Sequence, residues 1–405
     1  MRHFLSTTIA AAALLAACGA SAEKSTAAAD PSGPVETEAP NTKLKPAFAG
    51  QTRAPAKRAA VTFDVQEVTS DLNAPWSLEF LPDGRILVSE KGGALRFVTR
   101  DGRISDKGTG LPAVDDDGQG GLLDVALDPD FASNRMIYWT FSEPRNGGNG
   151  TAVARGRLAQ GARPDVTDAQ IIFRQMPTFE SEGHYGSRIA FAPDGTMFVS
   201  LGERMEMASR MRARDLGTHF GKVVRINRDG SVPADNPFRG RAGALPEIWT
   251  VGHRNPQGIT FRSDGSLWAI EHGPRGGDEL NRIEKGRDYG WPTITYGIEY
   301  GGGTIGGGIA AQQGLEQPVY YWDPVIAPSS LLWYDGAMFP EWKGSFFAAG
   351  LSGKVARLTM DGDKVTGEEW LLADRGERYR DVKQAPDGAI WLATDEGKLL
   401  RLARR

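Results

Sequence analysis

Gly183-His184-Tyr185-Gly186-Ser187-Arg188-Ile189-Ala190-Phe191-Ala192-Pro193-Asp194-Gly195-Thr196-Met197-Phe198-Val199-Ser200-Leu201-Gly202-Glu203-Arg204 reads as a glycine-flanked histidine loop, an apolar run, a turn, a second apolar run and an acidic loop. Asp194-Gly195 pairs a residue that tolerates positive φ with one that has no Cβ, a strong signal for a tight turn between strands. A hairpin brings its outer ends side by side, so His184 and Glu203 are predicted to meet at one edge of a sheet. A histidine beside a carboxylate is the unit of a general base, and it is equally a common structural pair.

The same hairpin recurs along the chain. Phe80 to Glu90, Ala126 to Trp139, Phe191 to Ser200, Phe261 to Ile270, Trp333 to Ala349 and Gln384 to Ala393 each carry an acidic turn between apolar runs. The turn aspartates are 83, 130, 194, 264, 335 and 387. Their spacing averages about 61 residues, which predicts six repeats of one supersecondary unit. The runs after the turns, such as Ile86-Leu87-Val88 and Met197-Phe198-Val199, are apolar on successive residues, the pattern of a strand buried on both faces. Four-stranded antiparallel sheets packed face to face around a central channel satisfy that pattern and close on themselves. The predicted fold is an all-β, six-bladed β-propeller over residues 61–405.

The flanking sequence has a different character. Residues 1–18 have a polar start and an apolar core ending in Leu15-Ala16-Ala17-Cys18, which looks like a bacterial lipoprotein signal peptide with Cys18 as the lipidated residue. That reading predicts a protein on the periplasmic side of the cell envelope, held to a membrane only through its N-terminal lipid. Residues 19–60, rich in Ala, Pro, Ser and Thr, are expected to form a flexible tether. Cys18 is the single cysteine, so no disulfide supports the folded part. A formal charge of −4 argues against a nucleic-acid partner.

Polar groups concentrate in the glycine-rich loops at one phase of the repeat. Gln119, His184, Arg254 and Arg380 share that phase and are predicted to converge on one mouth of the channel, in a positively biased pocket suited to an anionic ligand.

The motifs Gly118-Gln119-Gly120-Gly121-Leu122-Leu123, His184 to Arg188, Gly252-His253-Arg254-Asn255-Pro256-Gln257-Gly258, Glu271 to Glu279, Asp288 to Pro292, Ala327 to Ser330 and Arg378 to Asp381 together resemble those of the soluble aldose-sugar and glucose dehydrogenases that use pyrroloquinoline quinone (PQQ). The resemblance implies oxidation of an aldose to its lactone, with electrons passed to an external acceptor. It implies that His184 takes the anomeric hydroxyl proton, with Glu203 orienting it. Gln119, Arg254 and Asn255 would contact the quinone, with Arg254 also catalytic in stabilising negative charge as the cofactor is reduced, and Arg378 and Arg380 would clamp its carboxylates. The carbonyls of Gly273 and Pro274 would hold Ca²⁺, with Asp278 supporting that loop or ligating indirectly. Ser352 stands where the family carries a cofactor-contacting lysine, and Lys354 is the candidate to reach instead. The alternatives are a non-catalytic binding propeller and a Ca²⁺-dependent lactone hydrolase, since fold alone decides none of these.

Overall fold

A computed structural model describes residues 33–405; the signal segment and Cys18 lie outside the described residues. Among the described residues six sheets follow one another, each an antiparallel meander. Blade one is Pro75–Phe80, Ile86–Glu90 and Ala94–Val98. Blade two is Leu122–Leu127, Met136–Arg145, Gly148–Leu158 and Val166–Arg174. Blade three is Ile189–Phe191, Met197–Leu201, Lys222–Ile226 and Ile248–Val251. Blade four is Pro256–Phe261, Leu267–Glu271, Asp278–Ile283 and Tyr320–Trp322. Blade five is Pro328–Tyr334, Ser345–Gly350, Lys354–Asp361 and Lys364–Leu371. Blade six takes Tyr379–Gln384, Ile390–Thr394 and Leu399–Arg404 from the end of the chain and its outermost strand, Phe63–Thr69, from the beginning.

All six turn aspartates fall between the first and second strands of a blade, so the repeat read from the sequence is the structural repeat. The innermost strands contact their neighbours in order, and those of blades six and one close the ring. Six apolar cores lie between successive blades, which is why the second strands Ile86–Glu90, Met197–Leu201, Leu267–Glu271 and Ile390–Thr394 are buried throughout.

Two expectations need correction. Blade one has three strands; beyond Val98 only an isolated bridge to Ile104 marks a fourth. The chain there carries Gly108, Gly110 and Pro112, and a Cβ at Gly110 would lie 1.9 Å from the Val166 carbonyl, so the segment crosses to blade two rather than pairing.

Residues 33–60 are not a free tether. Asp323 accepts hydrogen bonds from the Asn41 and Thr42 amides, and Gln51 is fully buried, donating to the Pro318 carbonyl and accepting from Tyr296. Ala56 bridges to Glu368 on the outermost strand of blade five. These bonds repay the ordering entropy that the composition alone could not, and the segment covers strand edges that would otherwise stand open.

Candidate active site

The innermost strands enter the channel mouth through a shared irregularity. Register shifts fall between Pro75 and Ser77, Pro256 and Gly258, Pro328 and Ser330, and Tyr379 and Asp381. The residue left over at each shift is Trp76, Gln257, Ser329 or Arg380. Such bulges re-aim side chains. Trp76, Gln257 and Arg380 accordingly line one cavity of about 440 Å³, together with Lys91, Gln119, His184, Arg254, Asn255, His272, Tyr300, Arg378 and Asp395.

His184 and Glu203 meet as the hairpin predicts, with Nδ1 to Oε1 at 3.1 Å. The histidine is held by its neighbours on both sides. Its amide donates to Gln119 Oε1 at 3.0 Å, and the Gly186 amide donates to Asn255 Oδ1 at 3.0 Å. His184, Arg204 and Met205 have φ of 49°, 71° and 68°, left-handed values that each cost a non-glycine residue about 1–3 kcal/mol. The surrounding bonds hold that strain where the two loops touch. Burial first, then the Arg254 charge, pushes the imidazole down to about 4, against the bond and charge of Glu203. His184 is therefore neutral at pH 7. With Nδ1–H directed at the carboxylate, Nε2 is the free basic nitrogen at the cavity.

The cavity wall is cationic. Arg378 and Arg380 share Asp395: Arg380 Nε donates to Oδ1 at 2.8 Å and Arg378 Nε to Oδ2 at 2.9 Å. Burial works to raise the Asp395 carboxyl, but the two arginines outweigh it and leave it lowered. Arg254 donates through Nη1 to the Gly273 carbonyl at 2.7 Å, while its buried Nε has no hydrogen-bond partner among the described residues. An orphaned guanidinium N–H, three further cations and an aromatic wall fit a planar, multiply anionic aromatic group. PQQ has that chemistry.

The donors for a cation are less complete. Asp278 is buried and spends both oxygens on backbone: Oδ1 accepts from Gly273, and Oδ2 from Ile326 and Ala327. Burial pushes its carboxyl up to about 7, against those three amides. Asp278 thus supports the loop rather than facing a metal directly. Among the described residues no group of three or more His, Cys, Asp and Glu side chains is placed to hold a metal ion. The remaining candidates are the Gly273 and Pro274 carbonyls, the first already engaged by Arg254.

One predicted site residue is elsewhere. The Lys354 ammonium stands 3.6 Å from the centroid of the Trp370 ring, and Lys354 does not line the cavity. The strand starting at Lys354 turns it toward blade five's outer edge, where a cation over an indole face is favourable. Ser352 donates to the Ile326 carbonyl, so Lys91 is the lysine at the cavity. Sequence reasoning missed Trp76, Lys91, Gln257, His272, Tyr300 and Asp395. A signal for two of them was available: Ala74-Pro75-Trp76-Ser77, Asn255-Pro256-Gln257-Gly258 and Ala327-Pro328-Ser329-Ser330 repeat a proline just before the bulged residue.

Other histidines are structural in form. His253 bonds Glu271 and Thr250 and stacks on Tyr289, and His219 bonds Glu247 and the Met176 amide.

Comparison with known proteins places this chain in a family. The profile described as Glucose / Sorbosone dehydrogenase matches residues 72–401. The chain is 43% identical over 356 residues to the aldose sugar dehydrogenase YliI of Escherichia coli, covering 86% of this chain and 94% of that one. The crystal structure of the soluble aldose sugar dehydrogenase of Escherichia coli in the apo form superposes with a TM-score of 0.81 at 42% identity, covering 85% of this chain and all of the other. The PQQ-bound aldose sugar dehydrogenase of Streptomyces coelicolor gives a TM-score of 0.70 at 29% identity, over 87% of this chain and all of that one. The chain thus belongs to the glucose/sorbosone dehydrogenase family, a class of oxidoreductase.

Proposed function

We propose that the chain oxidises aldose sugars at the anomeric carbon to lactones, using PQQ with Ca²⁺ and passing electrons to an external acceptor. The observation that carries this reading is the neutral, Glu203-backed His184 inside a cation-lined cavity of about 440 Å³. Bound there, the quinone would supply the two-electron oxidising power that no side chain of the cavity has.

The chain's own residues bind and move the proton. Arg378 and Arg380 offer to carboxylates the guanidinium N–H groups that Asp395 and their other partners leave over, Gln119 and Asn255 spend their carbonyls on the His184 loop and keep their amide donors for the ligand, and Arg254 has the free Nε. His184 Nε2 takes the anomeric hydroxyl proton, and Glu203, on Nδ1, fixes the ring and stabilises the imidazolium. The His272 imidazole, also kept neutral by burial and the nearby cations, adds no competing charge. Ca²⁺ would be held by the Gly273 and Pro274 carbonyls. Because Arg254 engages the first of these, we infer that the ion binds with the quinone rather than before it.

The N-terminal segment supports a companion reading: an envelope lipoprotein on the periplasmic side, anchored through Cys18. The test of function is dye-linked oxidation of an aldose panel by residues 33–405, as apoprotein, with Ca²⁺, and with Ca²⁺ plus PQQ. Turnover only in the full mixture, lost in His184→Ala, is expected. Failure to bind the quinone in an absorbance titration would overturn the reading.

A further inference from the structure

Arg188 stands immediately before the innermost strand of blade three and is 3% exposed. Its side chain meets an element of each of the other five blades. Nη1 donates to Asp124 Oδ1 of blade two and to Asp381 Oδ1 of blade six, both at 3.0 Å. Nε donates to the Gln257 carbonyl of blade four at 3.1 Å, and Nη2 to the Ser329 carbonyl of blade five at 2.9 Å. The guanidinium carbon lies 4.3 Å from the ring centroid of Trp76 in blade one. In its own blade, the Arg188 amide donates to Ser200 Oγ at 3.0 Å.

The two aspartates extend the layer. Asp124 Oδ2 accepts from the Ile189 amide and Oδ1 from Ser77 Oγ, while Asp381 Oδ2 accepts from the Leu78 amide and Oδ1 from Ser330 Oγ. Burial works to raise the Asp381 carboxyl, and Arg188 and Lys383 overcome it. On one side of this layer Trp76 and Gln257 face the 440 Å³ cavity. On the other, Arg188 lines a separate cavity of about 330 Å³ with Glu79, Ser330 and Lys383.

We propose that Arg188 is a positioning residue of the cofactor pocket: its guanidinium is the septum that closes the central channel and sets Trp76 and Gln257 as the pocket floor. This rests on the quinone reading above only for what the floor supports. Arginine suits the place because four of its five N–H groups are used in one plane, whose face also stacks on Trp76. A lysine has three donors on one atom and no planar face. Losing the cation altogether takes from two buried carboxylates the one guanidinium nitrogen that both of them bond.

The test uses the full chain with Arg188→Ala, Arg188→Lys and, as a destabilised control, Val224→Ala, whose side chain is buried between blades two and three. Hydrogen–deuterium exchange on the quinone-free proteins is expected to rise along the innermost strands of all six blades in Arg188→Ala, less in Arg188→Lys, and only in blades two and three in the control. Titration with PQQ followed by absorbance should give a Kd at least tenfold weaker in Arg188→Ala, partly restored by lysine and unchanged in the control. Exchange confined to blade three, or an unchanged Kd, would overturn the proposal. If wild type itself fails to bind PQQ, the functional reading falls, and the exchange pattern still decides the septum. If Arg188→Ala does not fold, Arg188→Lys and Asp381→Asn carry both measurements.

Discussion

If His184 is the base proposed above, its surroundings are what keep it unprotonated. An exposed imidazole would titrate near 6.5, but burial and Arg254 bring this one to about 4, with Glu203 opposing. The base is active when unprotonated, so kcat/KM of the quinone-loaded enzyme should hold from neutral pH down to about 5 and fall through about 4. Because Glu203 acts to raise the imidazole, Glu203→Gln should move that acid limb to lower pH while reducing kcat by roughly 10- to 1000-fold. A limb near 6.5 in wild type would contradict the buried geometry. Position 354 gives a second check. Lys354→Ala should leave PQQ affinity within about twofold, whereas Arg380→Ala should weaken it by about tenfold or more, as expected for a charge-assisted hydrogen bond worth about 1.5–3 kcal/mol. Equilibrium titration separates the two.

At the scale of elements, the inner strands explain what could be read from the sequence and what could not. The turn aspartates, five of the six followed by glycine, and the apolar second strands are local signals, and they located every blade. His184 and Glu203 were legible because a hairpin of known length joins them. Trp76 and Gln257 were legible only through the proline that precedes each, because a bulge changes which way a residue points without changing its composition. Lys354 was misplaced for the same reason in reverse: its side chain is committed by strand pairing at Gly350, not by distance along the chain. Residues 33–60 misled most, since composition reports apolar content but not hydrogen bonds to sites some 280 residues away, such as Asn41 to Asp323. The strap makes a prediction of its own. A chain starting at residue 61 should unfold at lower denaturant than one starting at 33, because Gln51, Ala54 and Arg53 are removed from Pro318, Tyr320 and Asp323. Equal urea midpoints would mean the strap adds nothing.

For the whole molecule, the decisive contact is between the two ends of the folded chain. Phe63 pairs with Arg404 and Glu67 with Leu400, so the blade that closes the ring is built from both termini. Removing residues 399–405 takes two strand pairings from blade six and opens its cores to water. Such a chain should lose its cooperative thermal transition and elute as aggregate in size-exclusion chromatography. A monomeric product with a sharp transition would show that five blades and a remnant suffice.

That pairing also sets a clock. Phe63–Thr69 leaves the ribosome some 330 residues before its partner strand, a wait of roughly 20–70 s at common synthesis rates. During that interval it is an unpaired edge, the kind of surface that recruits other chains. Its sequence, Phe63-Asp64-Val65-Gln66-Glu67-Val68-Thr69, places two acids and an amide among the apolar residues. The strand that must wait longest for its partner is therefore one whose two carboxylates disfavour pairing with another copy of itself.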